Sequence, residues 1–153
     1  IMAGLTSALC TSFKVELLEG DQDFTNGADA YKVALFKANA SITGTYDATT
    51  TNYSDMTGNS DELAATGGYS TGGFALTNVN PTSTGTTAFT DFSANASWSS
   101  ATFTTRGCLI YNTSDGNSAV AVIDFGADYA VSGGTFEIQW PAADSSNAII
   151  RIA

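Results

Sequence analysis

Between residues 101 and 126 the chain reads "ATFTTRGCLIYNTSDGNSAVAVIDFG": polar and apolar positions alternate, break at Asp115-Gly116, then alternate again up to Gly126. A period of two sends successive side chains to opposite faces, so this stretch predicts two strands, 101–112 and 118–125, joined by a positive-φ turn. In "GTFEIQW" (134–140), Phe136, Ile138 and Trp140 share one face and Glu137 and Gln139 the other, as in a half-buried antiparallel strand. Shorter runs predict further strands at 73–79, 87–94 and 148–152. "DAYKVALFKA" (29–38) sets Tyr31, Val33 and Leu35 against Lys32, Ala34 and Phe36, a strand with one core face, although a helix of about ten residues also fits. Gly126 and Gly133-Gly134 are expected to end or begin strands, and Pro141 to close one.

One helix is predicted, over "TSFKVELLEG" (11–20): Phe13 and Leu17 are spaced i to i+4, Thr11 or Ser12 can cap its start and Gly20 its end. From Asn39 to Gly73 large apolar residues are sparse, which predicts a long surface excursion with a short strand near 44–46 and a helical turn at 60–65. Six or seven short strands with turn signals about every ten residues imply an all-β chain, an antiparallel β-sandwich or jelly roll with one short N-terminal helix and a long Thr/Asn/Gly-rich loop. All 153 residues are assigned to one β-domain, with residues 1–20 as an N-terminal arm and helix.

Composition narrows the function. Charged residues are 13% of the chain, and fifteen acidic against five basic residues give a net charge of −10. Such a field repels phosphate backbones and anionic lipid, so neither nucleic acid nor membrane is expected as a partner. No apolar run reaches the roughly 20 residues of a membrane helix. The absence of histidine excludes Ser-His-Asp and Cys-His relays and His-ligated zinc. Cys10 and Cys108 form no metal-binding spacing and are expected as free thiols, with a long-range disulfide as the alternative. "IMAGLTSALC" lacks the features of a secretory or lipidation signal and reads as an arm, with Met2 as initiator.

The carboxylates are the next candidates for chemistry. Asp21/Asp23, Asp61/Glu62, Asp124 and Glu137 show no pattern that converges two acids across the roughly 5 to 10 Å that glycoside hydrolysis needs. Asp124 and Glu137 are expected to pair with Arg106 and Arg151 instead. "DQDFTNG" (21–27) resembles a calcium loop, but its glycine is one position late and Lys32 stands where the closing glutamate belongs. Gly67-Gly68, Gly72-Gly73 and Gly133-Gly134 read as turns, not phosphate loops. Trp98, Trp140, Tyr31, Tyr111 and the phenylalanines are expected in the core, with an exposed carbohydrate platform as the alternative. No catalytic residue, metal or cofactor is assigned.

The stretches "WSSATFTTRGCLIYN", "AVAVIDFG" and "GTFEIQWPAADSSNAIIRIA", preceded by "SFKVELLEGDQDF", "DAYKVALF" and "GGYSTGG", together resemble a family of small virion structural proteins of tailed bacteriophages. The resemblance spans nearly the whole chain. It implies a non-enzymatic capsid cement or decoration protein, made in the bacterial host cytoplasm and placed on the capsid surface, where it bridges subunits of the major capsid protein. A homo-oligomer, dimer or trimer, is expected, and a receptor- or glycan-binding module of the tail or a fibre is the competing role. Leu5, Leu9, Phe13, Leu17 and Leu18 of the arm and helix are the expected assembly contacts.

Overall fold

The structure, a computed structural model, describes residues 3–153. Met2, the expected initiator, lies outside them. The elements in chain order are β1 (Gly4–Leu5), β2 (Ala8–Leu9), α1 (Thr11–Glu19), β3 (Tyr31–Leu35), a 3₁₀ turn (Asn39–Ser41), β4 (Thr45–Tyr46), α2 (Tyr53–Gly58), β5 (Phe74–Ala75), β6 (Thr82–Thr84), β7 (Thr87–Thr90), β8 (Ala96–Asn112), β9 (Ser118–Ile138) and β10 (Ile150–Ile152). A five-stranded sheet, β2-β9-β8-β3-β5, and a three-stranded sheet, β10-β7-β6, are antiparallel throughout, whereas the small β1–β4 pair is parallel. The fold is all-β and sandwich-like.

The β8–β9 hairpin is the longest feature, paired from Asn112↔Ser118 to Ala96↔Ile138. Two strands expected at 118–125 and 134–140 are therefore one. Gly126 and Gly133 do not terminate β9: each has positive φ, 81° and 66°, and lies at an irregularity in the ladder. Residues 125–128 stand opposite Arg106 alone, and Gly133 is the extra residue between the pairs Ala101↔Gly134 and Thr102↔Ser132. A bulge absorbs the surplus and bends the strand without ending it. At the closed end the turn is wider than Asp-Gly alone, with positive φ at both Gly116 and Asn117. Buried Asn112 organises it, its side-chain oxygen accepting from the Ser114 and Asp115 amides while its NH₂ donates to Gln22 and Asp29.

β3 is more deeply placed than its alternation suggested. It lies between β8 and β5, and Ala34 and Phe36, expected on a second and less buried face, are as inaccessible as Val33 and Leu35. Phe24 stacks on Tyr31 at 4.4 Å and Phe92 closes on both, while Phe36 meets Tyr46 at 4.6 Å. Tyr111, across the ladder from Lys32, stacks on Tyr53 at 4.4 Å. Both faces of this sheet centre are thus covered, as in a fully buried strand.

The covering of Phe36 and Tyr111 comes from the segment expected as a loose surface excursion. Residues 39–73 instead form an ordered layer that buries Ile42, Tyr46, Met56, Asp61 and Tyr69. Its helix is α2, upstream of the expected turn at 60–65, because the capping pair lies there: Asn52 accepts from the Ser54 amide and Asp55 from the Asn52 amide. Gly67 lets this layer touch β8, since a Cβ there would stand 2.0 Å from the Thr102 carbonyl oxygen. The strand expected at 73–79 shrinks to Phe74–Ala75; beyond it the Leu76 amide donates to the Tyr31 carbonyl and Asn78 forms an isolated bridge with Phe92.

α1 forms where expected and ends on Gly20 in the left-handed region, but neither Thr11 nor Ser12 caps it. Its N-cap is Cys10, which makes no side-chain cap and whose amide donates to the Val120 carbonyl. The chain passes directly from β2 into the helix, so the first turn is pinned by the sheet.

Asp61 fastens the excursion. Its carboxylate accepts from the Thr43 and Gly44 amides, the Thr43 hydroxyl and the Tyr46 hydroxyl, the last at 2.7 Å. Burial pushes its pKa up, but these donors outweigh it and the net shift is downward. A depressed carboxylate contributes stability that is fully present above the unfolded value near 4 and is lost as pH falls through the folded value. Asp61→Asn turns an NH₂ toward these donors and is expected to cost about 2 kcal/mol at pH 7, and to flatten the acid limb of stability below pH ~4, in chemical denaturation followed across pH.

Candidate functional site

β9 outlasts its neighbours. On its outer side β2 covers only Ala121 and Val122, and Ser7 extends the cover by exchanging hydrogen bonds with the Asp124 backbone. Beyond the bulge, Tyr129–Ile138 pairs inward with β8, and among the described residues no strand pairs with its outer edge. An unpaired edge presents alternate N–H and C=O groups to any extended chain.

Where β9 curls, between Phe125 and Phe136, lies a groove of about 500 Å³, lined by Ile123, Phe125, Tyr129, Phe136, Ile138 and Trp140 and completed by Glu137, Gln139, Pro141 and Ile149. Its aromatic floor is built by side chains spaced along one strand. Phe125 contacts Tyr129 and Phe136, each at 6.1 Å, and Phe136 leans on Phe103 and Trp98 of β8 at 5.5 and 5.9 Å. Trp98, backed by Tyr69 and Phe74, belongs to the core. Tyr129 does not, being 51% exposed.

The far wall is fixed from the three-stranded sheet. Trp140 donates from its indole nitrogen to the Ala94 carbonyl and packs against Phe92 at 5.3 Å. Buried Asp91 accepts from the Phe92 and Ile149 amides, and burial raises its pKa despite these donors. The groove is therefore preformed, apolar, and held by both larger sheets.

Its charge is predominantly negative. Arg106 pairs with Asp124 at 2.7 Å, as expected, and holds that carboxyl below the ordinary range. Glu137 does not meet Arg151; it accepts from Asn95 and Gln139 and remains exposed at the groove. Asp128 accepts from the Asn39 amide. No Lys or Arg occurs between residues 124 and 149.

The expected assembly contacts are spread by the fold. Phe13 is fully buried and belongs to the chain's own core, edge-on to Phe24 at 6.0 Å. Leu5 and Leu9 lie half-buried in β1 and β2, and Leu17 borders a shallow pocket of about 170 Å³ with Phe24, Phe89 and Ile152. Leu18, at 91% exposure, and Val15 project outward from α1. The arm is thus laid along the sheet, and among its described residues the large exposed apolar side chains are those on the outer side of α1.

The other sequence candidates serve the fold. Glu62 accepts from Tyr53, Tyr69 and the Gly72 amide. In the calcium-like loop, Asp23 accepts from the Thr25 amide and Asp29 from the Asp23 amide and Asn112. Among the described residues no three of Cys, Asp or Glu converge as a metal cluster. Cys10 and Cys108 are free and buried; burial first, then nearby carboxylates, raises Cys10 to about 12, and burial alone raises Cys108. Tyr31, Tyr111 and Trp98 are buried, so a platform of those residues does not form.

No protein-family profile, curated protein or solved structure matches the chain. In the sequence, Phe125 and Phe136 carry the apolar alternation of a core-facing strand, which hides their place in the groove. Tyr129 stands in 126–134, a stretch without clean alternation, and no local pattern marks it as part of a groove. Replacing Tyr129 with Ser is expected to shift the unfolding free energy by no more than about 0.5 kcal/mol, whereas Trp98→Ala costs about 3 to 5, as read by urea denaturation.

Proposed function

We propose that this chain is a virion structural protein of a tailed bacteriophage, most specifically a capsid cement protein that holds major capsid subunits together and performs no catalysis. The observation that carries this reading is the long anionic ribbon of β9, with an unpaired edge and a preformed apolar groove on a scaffold whose buried carboxylates and tyrosines are engaged in holding the fold. Such a surface favours adhesion. The sequence resemblance supplies the viral context, and the outer side of α1, with Val15 and Leu18, supplies a second apolar contact for a neighbour or another copy.

The competing role, a tail or fibre module that binds a receptor or glycan, draws support from the aromatic lining itself, since Tyr129 and Trp140 beside Glu137 and Gln139 combine stacking faces with polar groups. Location on the particle separates the two.

Electron microscopy of the intact virion is expected to show ordered copies of this fold over the joints between capsomers. Copies confined to the tail would reject the cement role. Removal of residues 1–20 is a poor probe of the arm, because Cys10 and Phe13 are core residues. Leu18→Asp is the cleaner one: it should reduce binding to decorated-protein-free heads about tenfold while leaving thermal stability unchanged, and undiminished binding would remove α1 from the interface.

A further inference from the structure

We infer that the outer edge of Tyr129–Ile138 is a strand-addition site for an extended basic segment of another protein, one that alternates apolar residues with Lys or Arg. The inference deepens the adhesive reading of the groove and rests on it, but not on where the protein sits in a particle.

Three observations converge. The first is the edge: it spans roughly 30 Å of strand at about 3.3 Å per residue, and no strand covers it among the described residues. Main-chain pairing along such an edge supplies affinity, and pockets for alternate side chains supply specificity. The second is the groove, around which β9 curls so that Phe125 and Phe136 meet at 6.1 Å; it opens beside the Phe136–Ile138 end of the edge and can receive the apolar side chains of a strand added there. A compact ligand needs a closed pocket; a furrow alongside an open edge suits an extended chain.

The third is charge, which selects the occupant. Asp128 and Glu137 lie on the edge strand, and the neighbouring Arg106 is paired with Asp124, while Arg151 acts on Asp144 farther along the chain. A second copy would bring the same carboxylates and a net charge of −10 to meet −10. Like charges set opposite each other across a ladder are destabilising, whereas Lys or Arg at those positions pairs with Asp128 and Glu137.

The test uses the full chain and three short synthetic peptides, blocked at both ends: one alternating Lys and Val, one with Glu for Lys, and one with the Lys retained but alternate Val replaced by Pro. Calorimetry should show the Lys/Val peptide binding at least about tenfold more tightly than the Glu peptide. The Pro peptide keeps the charge but cannot complete a ladder, so it should bind at least about tenfold more weakly. Amide chemical-shift changes should centre on Tyr129–Ile138. Glu137→Lys should reduce affinity for the Lys/Val peptide about fivefold, and Tyr129→Ser should also weaken it without altering the fold. Equal binding of the Pro peptide, or shifts centred elsewhere, would overturn strand addition. Equal binding of the Glu peptide would overturn the charge assignment. Absence of binding would overturn the site, and concentration-dependent changes at these amides without peptide would assign the edge to a second copy. Particle imaging stays independent: a head location with no peptide binding leaves the cement reading standing and removes this inference alone.

Discussion

The pairing of β8 with β9 outruns everything else in the molecule. Their ladder continues from Asn112↔Ser118 to Ala96↔Ile138, whereas β3 supports β8 only from Cys108 to Asn112 and β2 supports β9 only at Ala121 and Val122. A two-stranded ribbon is marginal in water unless one face is packed. Here the packing comes from Tyr69, Phe74 and Trp98 on the β8 side, with Gly67 allowing close backbone approach. Among the described residues no strand covers the outer edge of β9 beyond the bulge. One strand of the ribbon is therefore anchored and the other is offered to solvent, and the groove, the open edge and the uncompensated charge all follow from that asymmetry.

The polar interior keeps the ribbon's base rigid. Asn112 joins the hairpin turn to Gln22 and Asp29, Gln22 in turn bonds Tyr31 and Ser118, and Asp61 ties the 39–73 layer to Tyr46. Buried hydrogen-bonding groups left unpaired are costly, so networks of this kind admit few alternative packings. Acidic side chains drawn into them become structural, which is how a chain with fifteen carboxylates can devote several to its fold and still expose Glu137 at the groove. The ring contacts that bind Phe92 to Trp140 carry that rigidity into the groove wall.

Local signals in the chain were faithful where they were strong. The helix with its Gly20 terminus, the paired strands at 101–112 and 118–125, the short strand at 45–46 and the Arg106–Asp124 pair are all readable from spacing alone. Glycine misled at Gly126 and Gly133, because a residue that permits positive φ can end a strand or bulge it, and only the partner strand decides which. The 39–73 layer is hard to read from sequence because a few well-placed tyrosines, Tyr46, Tyr53 and Tyr69, supply its packing among sparse apolar surroundings. Phe125 and Phe136 carried the signature of a core face; what the pattern could not disclose is that, among the described residues, no layer covers them or Tyr129.

The central claim is that Tyr129–Ile138 is a formed strand with one side unpaired in the free protein. Residue-resolved amide hydrogen exchange tests it most directly. The account predicts alternation along this segment, with inward-facing amides protected and outward-facing amides exchanging rapidly. Uniform protection in the isolated protein, or uniformly rapid exchange across the segment, would contradict it.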